Sequence, residues 1–181
     1  MNREDLEHII RAAATVTNEY EFVIVGSQSI LGPIPYPPAE FKMSAEADIY
    51  PMNAEEKNIL IDGALGEGSY FHTMYGYYAQ GVDSTTATLP EGWKNRVTRV
   101  QTEATEGKVG YCIDTLDLFM SKAVANRDKD RDFNTALFAH GLVTEEAALK
   151  MVPLLPVPDD EKKAIRARIR RWAKAVSATV R

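Results

Sequence analysis

The sequence predicts an α+β protein: a small mixed sheet backed by helices, followed by a helical C-terminal segment. Three observations carry this reading. Short runs of β-branched and aromatic residues fall in the first two thirds of the chain, as EFVIV (21–25), AEADIY (45–50) and KVGYCI (108–113). Residues 4–16, and most of the chain after Asp114, repeat apolar side chains at helical spacing instead. The 181 residues, 45% hydrophobic and 26% charged, are also enough to bury one sizeable core.

Leu6, Ile9, Ile10, Ala13 and Ala14 mark one face of a first helix over 4–16. EFVIV then closes on Gly26 as a buried strand, and Ser27 to Leu31 reads as a helical turn. GPIPYPP (32–38) holds four of the nine prolines and predicts a stiff loop. The strand AEADIY stops at Pro51, and Asn53 is placed to cap a helix over 54–65 with Glu55 and Glu56 in its first turn. After Gly63, Gly66 and Gly68 come the aromatic stretch YGYYA (75–79), the alternating RVTRVQT from Arg96 and the strand KVGYCI. From Asp114 the texture turns helical, with Leu116, Phe119, Met120, Ala123 and Val124 in phase. Further helices are expected over 131–140, after Thr144, and over 159–178 beyond the PLLPVP linker. The expected division is a core over 1–113 and a helical segment over 114–181.

Composition excludes several classes. No apolar run approaches the roughly 20 residues of a membrane span, and the charged N-terminus is no secretory signal. Cys112 is the only cysteine, so there is no internal disulfide framework and no multi-cysteine zinc site. The expected location is the cytoplasm. The net charge of −5 hides an asymmetry: residues 159–181 carry eight basic and three acidic side chains, +5, which leaves −10 on the rest. In the last helix Ile165, Ile169, Trp172 and Val176 form an apolar stripe, while Lys162, Arg166, Arg170 and Lys174 recur every four residues on another face. That basic stripe reads either as a solvated surface or as a contact for an anionic partner, nucleic acid among them.

The chemistry concentrates at two strand ends. Glu46 and Asp48 stand two apart, so an extended strand projects both from one face. Adjacent carboxylates repel, and a hard divalent cation relieves the repulsion. Upstream, a strand breaking into Gly26–Ser27 sets a backbone amide and a hydroxyl where a phosphate could rest. This order of strand, Gly-Ser, short helix and strand with Glu-x-Asp resembles the signature of the nucleotidyltransferase fold of the DNA polymerase β-like superfamily. The stretch DTLDLFMSKAVANRDKDRDF (114–133) is similar to a segment of bacterial nucleotidyltransferase-like proteins related to abortive-infection and toxin–antitoxin nucleotidyltransferases. EFVIVGSQSILG, IDGALGEGSYFHT, YGYYAQGV, ATLPEGW and AHGL extend the likeness over about residues 20–143, to an uncharacterised bacterial family of that superfamily.

The resemblance implies a transferase that moves a nucleoside monophosphate from an NTP to an acceptor hydroxyl of tRNA or protein. Gly26 and Ser27 match the phosphate-contacting pair, and Glu46 and Asp48 the carboxylates that hold Mg²⁺, with Mn²⁺ as an alternative. Lys122, Arg127 and Lys129 match cations that hold triphosphate or acceptor, and a cognate antitoxin or other partner protein is implied by the same relatives. Two departures stand against full activity. Eighteen residues separate Ser27 from Glu46, the Pro-rich loop supplying the excess, and Glu replaces the commoner Asp at the first position. No acid lies in RVTRVQT, which leaves Glu103, Glu106 and Asp114 as substitutes for a third carboxylate. The alternative is therefore a catalytically silent domain that binds nucleotide or a partner protein. Plainer readings also stand: a surface lattice for the DKDRD charges, a structural His72, packing for Tyr70, Phe71, Tyr75, Tyr77 and Tyr78, and a small buried hydrophobe in Cys112.

Overall fold

The structure, a computed structural model, describes residues 1–179, so Arg181 of the basic tail lies outside the described residues. The chain divides into two units: Met1–Ala87 with Arg96–Asp114, and Thr88–Asn95 with the chain from Thr115 onward.

In the first unit α1 (Arg3–Thr17) opens with a reciprocal cap: Asp5 N–H donates to the Asn2 side chain at 2.9 Å and Asn2 N–H to Asp5 at 2.8 Å. It is followed by β1 (Glu21–Val25), β2 (Glu46–Pro51), α2 (Asn58–Leu65), α3 (Tyr70–Tyr75), β3 (Tyr78–Gly81), β4 (Thr98–Val100) and β5 (Val109–Cys112). The sheet runs β3-β2-β1-β5-β4. β1 pairs with β2 and β4 with β5 antiparallel, whereas β1–β5 and β2–β3 are parallel. Register sorts the side chains onto two faces. Phe22, Ile24, Ala47, Ile49, Ala79, Val100 and Cys112, all fully buried, make the apolar face. Helix α1 lies flush on it: a Cβ at Gly110 would come within 2.5 Å of the Ile10 side chain. Val23 and Val25 on the other face are flanked by Glu46, Asp48, Tyr78 and Gln80 towards β3. Cys112 is a buried hydrophobe whose thiol burial pushes up to about 12, so it is no nucleophile.

Two expectations in this unit need correction. Asn53 does not cap a continuous helix over 54–65. Glu55–Lys57 forms a tighter 3₁₀ turn, and α2 starts after it at Asn58. The turn carries Lys57 back to the end of α1, where its ammonium bonds the Thr17 carbonyl and Glu19. The aromatic stretch is also preceded by α3, capped by Ser69 Oγ accepting from His72 N–H at 3.1 Å and ended by Gly76 at φ 76°.

The second unit is helical: α4 (Thr115–Ala125), α5 (Asp128–Ala139), α6 (Glu145–Met151) and α7 (Asp159–Thr179). Ile165, Ile169 and Trp172 of α7 are buried with Phe119 of α4 and Leu137 of α5, the Trp172 and Phe119 rings meeting edge-on at 6.3 Å. Asn134 donates to the Phe119 carbonyl at 2.9 Å, and Arg168 donates to that of Ala123 near the end of α4. Thr88–Asn95 belongs to this unit through Glu91 N–H, which donates to the Leu154 carbonyl at 2.8 Å.

Candidate active site

Antiparallel pairing sets Val25 opposite Asp48, so the end of β1 and the start of β2 share one edge of the first unit. The chain leaves β1 at Gly26 with φ 66°, a left-handed conformation that favours glycine. The same glycine makes room for the carboxylate: a Cβ there would fall 2.0 Å from Asp48 Oδ2. Ser27 follows as the first residue of a 3₁₀ turn, Ser27–Leu31, and its hydroxyl makes no hydrogen bond among the described residues. The turn is anchored from within, Ser29 Oγ donating to the Gly26 carbonyl at 2.8 Å and Gln28 Nε2 to that of Phe41 at 3.1 Å. Phe41 is fully buried, so the Pro-rich connection returns to the core before β2 begins.

Glu46 and Asp48 are partly exposed on the same face of β2. Parallel pairing brings Tyr78 beside Glu46, and its hydroxyl donates to Glu46 Oε2 at 2.9 Å. Burial, then this bond to a carboxylate, push the Tyr78 phenol up to about 12, so it stays a donor at neutral pH. The His72 ring lies 4.7 Å from that of Tyr78, and its Nδ1 accepts from Gly68 N–H at 3.0 Å. Tyr78 is the site residue that sequence reasoning missed. Its signal was present in the alternation of YGYYA, but the register that aligns it with Glu46 is not a local property.

The substitutes for a third carboxylate separate by position. Glu103 and Glu106 sit in the β4–β5 turn, beside the start of β1 and at the opposite end of the sheet from Gly26. Asp114 follows β5, which runs parallel to β1, and so ends level with Gly26. The same register carries the buried Ile113, not an acid, up to Val25. Among the described residues no three His, Cys, Asp or Glu side chains gather to hold a metal. Two neighbouring carboxylates nevertheless fit Mg²⁺, which commonly takes one or two protein carboxylates and completes its shell with phosphate oxygens and water.

The three cations belong to the second unit. Lys122 is buried and donates to Asp130 Oδ1 at 3.1 Å, while Arg127 grips the same carboxylate with Nε at 2.6 Å and Nη2 at 3.2 Å. Lys129 is exposed beside them. Asp130 has no exposure, so this is not a surface lattice, and helix α5 begins at Asp128 rather than 131 because Asp130 caps it, accepting from Arg127 N–H at 3.2 Å. Burial pushes the Lys122 ammonium down from the ordinary lysine value, and Asp130, despite its own burial, is held below the carboxylate range by Arg127 and Lys122.

A mixed sheet backed by helices, with Gly-Ser closing one strand and Glu-x-Asp opening its antiparallel neighbour, is compatible with a nucleotidyltransferase-like fold. The family model described as "Nucleotidyltransferase of unknown function (DUF6036)" matches residues 4–141, and the chain belongs to that family. None of the curated proteins and none of the solved structures matches it. Among the described residues no helix is long and apolar enough to cross a membrane.

Proposed function

We propose that the protein is a Mg²⁺-dependent nucleotidyltransferase that moves a nucleoside monophosphate from an NTP to an acceptor hydroxyl of tRNA or protein. The observation that carries the reading is the contact between Gly26 and Asp48. The Asp48 carboxylate packs directly against the Gly26 backbone at the end of β1, and any side chain at 26 would collide with it. Glu46 and Asp48 would hold the cation, with Mn²⁺ as an alternative. Bound there, it neutralises charge on the transferred phosphate and eases deprotonation of the acceptor. The Gly26 backbone and the Ser27 hydroxyl orient the phosphates, and Tyr78 fixes one oxygen of Glu46 so that the longer side chain keeps a single position. Lys129 stands exposed in the second unit. Lys122 and Arg127 shape that segment through Asp130. The proposal extends to a cytoplasmic place of work and, on the likeness to toxin–antitoxin and defence nucleotidyltransferases, to a cognate antitoxin as partner.

A second reading, a silent domain that binds nucleotide or a partner protein, is favoured by Ile113 standing where a third carboxylate would complete the face. Transfer of α-³²P from each NTP, with Mg²⁺ or Mn²⁺, into total tRNA and extract protein separates the two. Label with the wild type and none with Asp48→Ala is the expected result. Absence of label while NTP binding persists would leave the silent domain, and absence of both would overturn the nucleotide reading.

A further inference from the structure

Several cations elsewhere among the described residues have acidic partners, whereas Lys94 and Lys108 lie over the Trp93 and Tyr20 rings. Arg3 pairs with Glu7, Lys57 with Glu19, Lys122 and Arg127 with Asp130, Arg131 with Asp128, and Lys150 with Glu146. The outer face of α7 departs from this pattern. Lys163, Arg166, Arg170, Arg171 and Lys174 form no ion pair and no hydrogen bond among the described residues. They point away from the buried Ile165, Ile169 and Trp172, and no acidic residue follows Glu161. Lys162 and Arg168, at the flanks, are instead turned inward onto the Pro153 and Ala123 carbonyls. Five cations thus line roughly 16 Å of helix at 1.5 Å per residue. From Arg166 onward no acidic side chain stands at the three- or four-residue spacing that would pair with these cations.

We propose that the outer face of α7 binds the phosphate backbone of nucleic acid. A protein partner would need apolar or aromatic anchors beside the charges, and none of the exposed large hydrophobic side chains lies on α7. Insertion into a membrane surface would need the apolar stripe of the helix, which is already buried in the second unit. A polyphosphate backbone needs only a row of cations. With no exposed aromatic on the helix to stack or read bases, binding is independent of sequence. It needs neither NTP nor Mg²⁺, and so stands or falls apart from the transfer chemistry.

The test is fluorescence anisotropy of the full chain, without nucleotide or Mg²⁺, against labelled single strands of about 20 nucleotides, RNA in one arm and DNA in the other. Polyglutamate and phosphatidylserine vesicles are the competing anions. Binding of RNA, DNA or both supports the proposal and names the source, provided affinity falls steeply between roughly 50 and 200 mM salt. The variant Arg170→Gln/Arg171→Gln/Lys174→Gln is expected to lose at least about 10-fold in affinity and to flatten the salt slope by about 2 to 3. Removing as much charge from the same unit by Lys94→Gln/Arg131→Gln/Lys150→Gln is expected to change affinity by less than about 3-fold. The single change Lys174→Gln gives a smaller loss in the same direction and covers the case in which the triple variant fails to fold. Three results would overturn the proposal: no nucleic-acid binding at low salt, equal losses in the two triple variants, or equally tight binding of polyglutamate or vesicles.

Discussion

In β2, Glu46 and Asp48 stand partly exposed two residues apart, and the group bonded to Glu46 is the uncharged phenol of Tyr78; in α5, Asp130 has no exposure and is gripped by Lys122 and Arg127. Both arrangements satisfy carboxylates, with opposite consequences. A carboxylate buried against two cations is neutralised by the fold itself, and its removal strands a buried lysine. Two carboxylates on one strand face repel unless positive charge lies between them, and a divalent cation is one way to relieve that repulsion. The contrast separates a charged motif that holds a helical unit together from one that lies on a partly exposed strand face.

The comparison breaks most visibly at Asp130. Asp130→Ala is expected to destabilise the helical unit by about 3–5 kcal/mol, read from denaturant midpoints, because Lys122 is left buried without its partner. Since the Asp130 carboxyl titrates below its ordinary 3.8, its contribution is present above that pH and is lost as pH falls through the lowered value. Gly26→Ala sharpens the other side. The positive φ and the 2.0 Å approach to Asp48 predict a loss of about 2–3 kcal/mol, with NTP binding lost in the same variant. A smaller effect concerns His8, whose Nδ1 meets the Tyr77 hydroxyl at 2.8 Å against Phe71 and Tyr75. Burial lowers its pKa from 6.5, so the unfolded chain takes up the proton first and stability falls as pH drops below about 6.5. His8→Gln is expected to flatten that part of the stability–pH curve.

Local signals explain which elements were legible. EFVIV and AEADIY are short β-rich runs ended by Gly26 and Pro51, and the structure has strands there. Helix α3 was hidden because six residues between Gly68 and Gly76 carry little periodicity, and its cap at Ser69 sits among loop glycines. The attachment of Thr88–Asn95 to the helical unit depends on a backbone bond from Glu91 to Leu154, a separation no local pattern encodes. At the site, Gly26, Ser27, Glu46 and Asp48 were visible as motifs. The approach of Gly26 to Asp48 and the donor Tyr78 required the strand register. The DKDRD charges looked alike in sequence, and only burial distinguishes Asp130 from the exposed Asp128 and Asp132.

The most direct test compares thermal unfolding of wild type and Asp48→Asn with NTP alone, Mg²⁺ alone and both together. The central claim predicts a rise in Tm for wild type only when NTP and Mg²⁺ are both present. It predicts no such rise for Asp48→Asn. A shift that persists in Asp48→Asn, or one that needs no Mg²⁺, would contradict it.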